Sequence, residues 1–277
     1  MTSDADMIVE RRGLRRKLVT WRVVAFLAVI AAIGTAALVT TRERYGDHIA
    51  RVQVSGFISG DKRLIDMIDR IGKHKRVRGV IVAINSRGGS TAGGEALHEA
   101  ISALAKKKPV VATMGTLATS AGYMAALGAE HIVARRATIT GSIGVIFQSP
   151  NIGGLMDKVG VEIDAIKSSA LKAEPSFYGP IDPEARRVLQ QVIDDTHAWF
   201  VDMVRERRSF DLAKARRLSD GRVFTGRQAL DEGLVDALGG EKTAVAWLES
   251  EKKLKKELPV RTWKPRARHR HDCHNAA

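Results

Sequence analysis

Cysteine is almost missing from this chain of 277 residues: its one copy, Cys273, stands close to the C-terminus. No intrachain disulfide can form, and neither a thiol active site nor a cysteine-ligated metal site can lie in the body of the chain. Histidines suited to catalysis are lacking too. Of the five in the body, His74 lies in the basic run Lys73-His74-Lys75-Arg76, His98 and His197 fall within helical segments, His131 lies in an Ala-Glu-His connection, and His48 opens an apolar run. Each reads as a surface or packing residue. The tail histidines His269, His271 and His274, with Cys273, have a spacing that matches no closed metal site, and no cofactor is expected. No internal repeat is visible.

The body also lacks the strong charge that the total implies. The net charge is +14, which taken alone would suggest a nucleic-acid partner. Residues 1–22 contribute +3 and residues 251–277 contribute +6, so the two ends hold +9 of it. The remainder is mildly basic, and no nucleic acid is expected as a partner. The tail from Glu251, rich in Lys, Arg and His and broken by Pro259 and Pro265, is expected to be a mobile, solvated end.

Long uncharged runs that are also nearly all apolar are absent but for one. Val23 to Thr41 is 19 residues without a charge, VVAFLAVIAAIGTAALVTT, and as a helix would be about 28 Å long, close to the thickness of a bilayer core. The heavier cluster of Arg and Lys precedes it, which places the N-terminus in the cytoplasm and the rest of the chain outside. A cleaved signal peptide is the competing reading, with Gly34-Thr35-Ala36 as a small-residue site, although the apolar core is long for that role. The expected organisation is a basic segment (1–22), a transmembrane anchor (23–41), one folded domain (47–250) and a basic tail (251–277).

With 44% hydrophobic residues the body can bury a core. Strand and helix patterns alternate along it. Apolar strands are predicted at Ile49–Ile58, Gly79–Ile84, Val110–Met114, Ile132–Ala134, Ile139–Ile146 and Val161–Ile166. Helices are predicted at Asp61–Lys73, Thr91–Lys106, Ala118–Leu127, Gly153–Val159 and Pro183–Arg208. This order predicts an α/β domain with a mostly parallel sheet.

Two small-residue turns carry the chemical interest. Ser120, in Thr119-Ser120-Ala121-Gly122-Tyr123, stands where a buried strand hands over to a helix. A hydroxyl there sits at the positive end of the helix, and the Ala121 amide is free to bind a developing oxyanion. Upstream, Asn85-Ser86-Arg87-Gly88-Gly89 ends another strand, and the amide of Gly89 offers a second donor. A nucleophilic serine needs a base, and with no suitable histidine the candidates are Lys167 and Lys172, which follow the predicted strand Val161–Ile166. A lysine amine, ordinarily protonated to about pH 10.4, needs roughly 4 kcal/mol of bias toward its neutral form to act near pH 7. An apolar, water-excluding site supplies such bias.

Over residues 47–250 the sequence resembles the signal peptide peptidase A family in its short single-domain form. The resemblance rests on Asn85-Ser86-Arg87-Gly88-Gly89, Thr119-Ser120-Ala121-Gly122-Tyr123, Thr140-Gly141-Ser142-Ile143-Gly144-Val145, Ile166-Lys167-Ser168 with Lys172 after it, and Asp220-Gly221-Arg222-Val223-Phe224-Thr225-Gly226, in that order. It implies a Clp protease/crotonase-like fold and a membrane-anchored serine–lysine peptidase acting on remnant signal peptides and other apolar peptides. The implied location is the outer side of the bacterial inner membrane. It further implies Ser120 as nucleophile, Lys172 as general base, Ser142 orienting the lysine, and Gly89 and Ala121 as the oxyanion hole. A ring-like homo-oligomer, in which the base of one protomer serves its neighbour's nucleophile, is also implied. Arg87 stands where the family usually has proline, and Ala121 where it usually has glycine. A crotonase-like acyl-CoA enzyme and a non-catalytic membrane scaffold are the alternatives.

Overall fold

The computed structural model describes residues 21–33, 35 and 46–265. The chain divides into two compact units at Asp47. In the first, residues 21–33 form helix α1. Among the described residues no helix is long and apolar enough to cross a membrane; residues 34 and 36–41 of the predicted span lie outside them.

The second unit is built on one eight-stranded sheet. Its strands are β1 (His48–Ile58), β2 (Val77–Gly89), β3 (Val110–Thr119), β4 (His131–Ala134), β5 (Ile139–Gly141), β6 (Val223–Thr225), β7 (Ala237–Leu238) and β8 (Val260–Trp263). The main path runs β6-β5-β3-β2-β1-β8, with β4 on β3 and β7 on β4. Every pairing is parallel except β5 with β6. The mostly parallel α/β sheet expected from the sequence is therefore present. Helices α2 (Lys62–Lys73), α3 (Thr91–Ala105) and α4 (Ala121–Ala126) return the chain between the first strands.

The continuous apolar run in β2 is explained by burial on both faces. Val80, Val82 and Ile84 join Ala50, Val52, Val54, Ala112 and Met114 in the larger core under α2, α3 and α4. Ile81, with Ile49, Val111 and Val133, faces Ala244 and Leu248 of a later helix, Glu241–Ser250. The helix starts follow their caps. Asp61 accepts from the Arg63 amide ahead of α2, and Ser90 Oγ accepts from the Gly93 amide ahead of α3.

Several elements differ from the sequence reading. Predicted β5 stops at Gly141, because Gly141 and Ser142 both take positive φ and turn the chain away from the sheet. The predicted strand Val161–Ile166 is irregular and exposed. Its apolar residues alternate in a strand-like way but, among the described residues, have no neighbouring strand with which to pair. Within the basic end from Glu251, residues Val260–Trp263 form β8 on the free edge of β1, from Ile49↔Val260 to Val52↔Trp263. The helix Pro183–Arg208 has the predicted bounds, with Asp182 capping it and Pro183 in its first turn. Its C-terminal half carries the burial, through Phe200, Val201 and Val204.

Candidate active site

Ser120 links β3 to α4 with φ 53° and ψ −121°, a conformation that L residues rarely occupy. Its amide donates to the Gly141 carbonyl at 2.9 Å and its carbonyl accepts from the Met124 amide at 2.9 Å. The strained backbone is thus held from both sides by β5 and by the first turn of α4. The side chain takes no part in capping α4 and is partly exposed. A hydroxyl free of structural duty on a strained strand-to-helix turn is suited to attack a bound carbonyl.

The loop closing β2 lies directly against it. Gly88 has φ +118°, and a Cβ there would stand 3.0 Å from Ser120 Cβ and 3.4 Å from Ser120 Oγ. At Gly89 a Cβ would overlap the Ile58 carbonyl oxygen and lie 2.6 Å from its carbon. Gly88 is required by its approach to Ser120 and Gly89 by its approach to Ile58, and the Gly88 backbone lies beside the Ser120 hydroxyl. Ser86 braces the turn: its hydroxyl donates to the Gly56 carbonyl at 2.5 Å and accepts from the Gly88 amide at 3.1 Å. Asn85 Oδ1 accepts from the Leu117 amide at 3.1 Å and so ties the ends of β2 and β3 together. These bracing roles were not read from the sequence, although both residues stand inside the motif that pointed to the loop.

Beneath the serine, α4 is buried along its whole length. Gly94 permits this, since a Cβ there would lie 2.9 Å from Ala121 Cβ and 2.8 Å from Met124 Sδ. The buried Tyr123 hydroxyl donates to the Leu234 carbonyl at 2.9 Å, and burial pushes the phenol pKa well up. His98 is partly buried against the same helix, with Nδ1 2.9 Å from the Met124 carbonyl. Burial lowers its pKa against the opposing pull of that carbonyl, and Arg207 lowers it further. It bonds the far end of α4, so it serves packing.

Ser142 follows Gly141, the residue that holds the Ser120 amide, and its own amide donates to the Arg222 carbonyl at 2.8 Å. Ser120, Gly88, Gly89, Ala121, Gly141 and Ser142 are therefore brought together by the ends of β2, β3 and β5. None of these residues lines the cavity of about 240 Å³ around Phe57, Ile58, Leu64 and Leu97, which also carries Gln53, Ser59 and Asp61; it meets the cluster only through Ile58, the β1 partner of Gly89.

Lys172 is placed differently. It is exposed on an irregular excursion between Ser142 and Asp182, and its amide donates to the Ser169 carbonyl. The excursion closes on itself through the Ile152 amide on the Phe177 carbonyl at 2.7 Å. Lys167 forms an ion pair with Glu174 at 2.6 Å, and this bond raises the lysine pKa. A base must be neutral, so Lys167 is the poorer candidate. Among the described residues no hydrogen bond or ion pair holds the Lys172 ammonium. The excursion also exposes large apolar side chains: Ile146 is 74% exposed, Leu155 62% and Val159 64%, with Val161, Ile163 and Ile166 following. The desolvation required of a lysine base is absent around Lys172 within one chain.

Comparison with known proteins bears on this arrangement. The model of peptidase family S49 matches residues 102–255. The protease-named slr0021 protein of Synechocystis is 39% identical over 200 residues, covering 72% of this chain and 72% of that protein. The protease-named MJ0651 protein of Methanocaldococcus jannaschii is 36% identical over 185 residues, covering 67% of this chain and 60% of that one. The chloroplastic serine protease SPPA of Arabidopsis thaliana is 32% identical over 217 residues, 72% of this chain but 32% of its own length. The chain thus spans less than two thirds of the latter two. Among solved structures, a mutant of the 1510-N membrane-bound stomatin-specific protease has the same fold, with a TM-score of 0.51 and 15% identity over 80% of this chain and 99% of that one. The chain belongs to peptidase family S49, as an SppA-like serine peptidase.

Proposed function

We propose that this chain is a membrane-anchored endopeptidase that degrades remnant signal peptides and other apolar peptides through a Ser120–Lys172 dyad. The observation that carries the reading is the strained backbone of Ser120, pinned to Gly141 with the Gly88 backbone packed against it. In this mechanism Ser120 Oγ attacks the scissile carbonyl and neutral Lys172 takes its proton. The amides of Gly89 and Ala121 bind the oxyanion. The lysine then gives its proton to the leaving amine, and water releases the acyl-enzyme. Ser142 orients the amine.

The exposed excursion supports a homo-oligomer, in the ring-like form that the resemblance implies. Apolar surface of this extent is normally covered. A second copy seated on it would also strip water from Lys172, the condition its role demands. The N-terminal run 23–41 is read as a single-pass anchor in the bacterial inner membrane. The basic N-terminus then lies in the cytoplasm and the catalytic unit on the opposite, periplasmic side.

The test is cleavage of a synthetic leader peptide by the full chain and by Ser120→Ala, Lys172→Ala and Lys172→Arg. All three variants are expected to lose at least 10²-fold in kcat, while a serine-reactive phosphonate labels Ser120 in the wild type. Wild-type turnover by Lys172→Ala refutes the dyad. Binding of a coenzyme A thioester in place of peptide cleavage would favour the crotonase-like alternative.

A further inference from the structure

The parallel sheet gathers its loops by charge. β8, β1, β2 and β3 lie side by side and all start at one edge, as the Ile49 amide on the Pro259 carbonyl, the His48 amide on the Arg76 carbonyl and the Val80 amide on the Pro109 carbonyl show. The connection entering β2 carries Lys75 and Arg76, together with Lys73 at the end of α2. The one entering β3 carries Lys106, Lys107 and Lys108. The connection entering β8 has four lysines against Glu251 and Glu257, so these three loops hold +3, +3 and +2. At the other edge, where Ser120 lies, the turns 59–61, 85–90, 115–120 and 135–138 hold only Asp61 against Arg87, Arg135 and Arg136.

Some of these cations are neutralised locally. Asp69 is shared by Lys73 at 2.5 Å and Lys107 at 3.7 Å, Lys252 pairs with Glu130, and Lys108 caps the His74 and Val77 carbonyls. Among the described residues, Lys75, Arg76, Lys106, Lys253, Lys255 and Lys256 have no ionic partner, and all six are exposed. Parallel strands place their helix-to-strand loops at the same edge. The connections entering β4 and β7 bring Glu130, Glu232 and Asp236 there, each paired with a cation, and the loops entering β2, β3 and β8 make the neighbouring stretch of that edge one basic face.

The chain enters this face at its middle. β1 lies between β8 and β2, and only residues 42–47 separate its start from the apolar run that ends at Thr41. Six residues reach at most about 20 Å. The basic edge is therefore tethered within a short reach of the anchor, a placement that favours lipid over nucleic acid as the source of the matching negative charge.

We propose that this edge docks on anionic phospholipid headgroups of the bilayer that holds the anchor; the proposal rests on the anchor reading given above. Docking there orients the unit with its strands rising from the surface. The 11 residues of rise from Val77 to Gly88 then hold the Ser120 site about 35 Å above it. Substrate would have to leave the bilayer to be cut.

The experiment is amide hydrogen exchange on the full chain in nanodiscs of phosphatidylcholine alone and of phosphatidylcholine mixed with phosphatidylglycerol, at low and high salt. Exchange at 73–78, 106–109 and 251–259 is expected to slow at least about fivefold in the anionic discs, the equivalent of one cation at a charged surface. High salt is expected to abolish that protection, and so is the combined Lys75→Gln, Arg76→Gln, Lys106→Gln, Lys107→Gln variant, whereas residues 142–182 should not respond to lipid charge. Equal exchange in the two lipids, or protection that survives in the variant, overturns the proposal. A short DNA duplex protecting the same loops of the detergent-solubilised chain, with no effect of lipid charge, would assign the face to nucleic acid instead. Alkaline carbonate tests the anchor separately. A chain that is extracted refutes the anchor reading, while one that stays in the membrane with unprotected loops refutes the docking alone.

Discussion

Replacing Ser120 by glycine should abolish cleavage and at the same time raise stability. At φ 53° and ψ −121° the residue lies well outside the ordinary left-handed well, whose ψ is positive. A non-glycine residue so placed costs on the order of 1–3 kcal/mol, here in the upper part of that range. Glycine releases the strain but adds about 0.5–1 kcal/mol of chain entropy to the unfolded state. Loss of a partly exposed Cβ removes a further few tenths of a kcal/mol. Ser120→Ala is the proper reference, because it removes the hydroxyl and keeps the strained Cβ. Relative to it, Ser120→Gly is expected to gain about 1 kcal/mol, which for a domain of this size is about 2–4 °C in Tm. Differential scanning calorimetry of both variants, beside the wild type and at matched detergent, makes the measurement. A glycine variant melting at or below the alanine variant would show that the turn is unstrained, and the argument that its geometry is kept for chemistry would fall.

Gly89→Ala should lose cleavage and at least about 1–3 kcal/mol of stability, since its methyl overlaps the Ile58 carbonyl and both strand ends must move; peptide turnover and chemical denaturation check it. Tyr123→Phe leaves the buried Leu234 carbonyl without its donor and is expected to cost about 1–3 kcal/mol while sparing the chemistry, so Tm should fall with kcat nearly unchanged. His98 and His131 have pKa values lowered chiefly by burial. The folded state therefore binds fewer protons than the unfolded one, and stability is complete above about pH 6.5 and falls as pH drops below it. Melting temperatures recorded from neutral to mildly acid pH should show that fall, and His98→Gln should flatten it. A profile unchanged by the substitution would remove His98 from the account.

Sequence alone settled what depends on short stretches of chain. The buried run of β2, the bounds of the helix Pro183–Arg208 and the turns at Gly88-Gly89 and Ser120 were all legible, because apolar periodicity, caps and glycine act over a few residues. The predicted strand Val161–Ile166 failed for the complementary reason. Its local pattern suits a strand, but a strand exists only where another can pair with it. β8 went unforeseen for the same cause, since the free edge of β1 that recruits Val260–Trp263 is a property of the assembled sheet.

The site divides along the same line. That Ser120 and the paired glycines stand at turns could be read from composition and spacing, whereas the contact of Gly88 with Ser120 and the bond from the Ser120 amide to Gly141 depend on which strands lie adjacent. Likewise the basic loops are scattered through the sequence, and only parallel topology lines them up on one edge. Residue type determines what a group can do. Tertiary structure decides which groups meet and which of them water still reaches, because both depend on contacts between residues far apart in the chain.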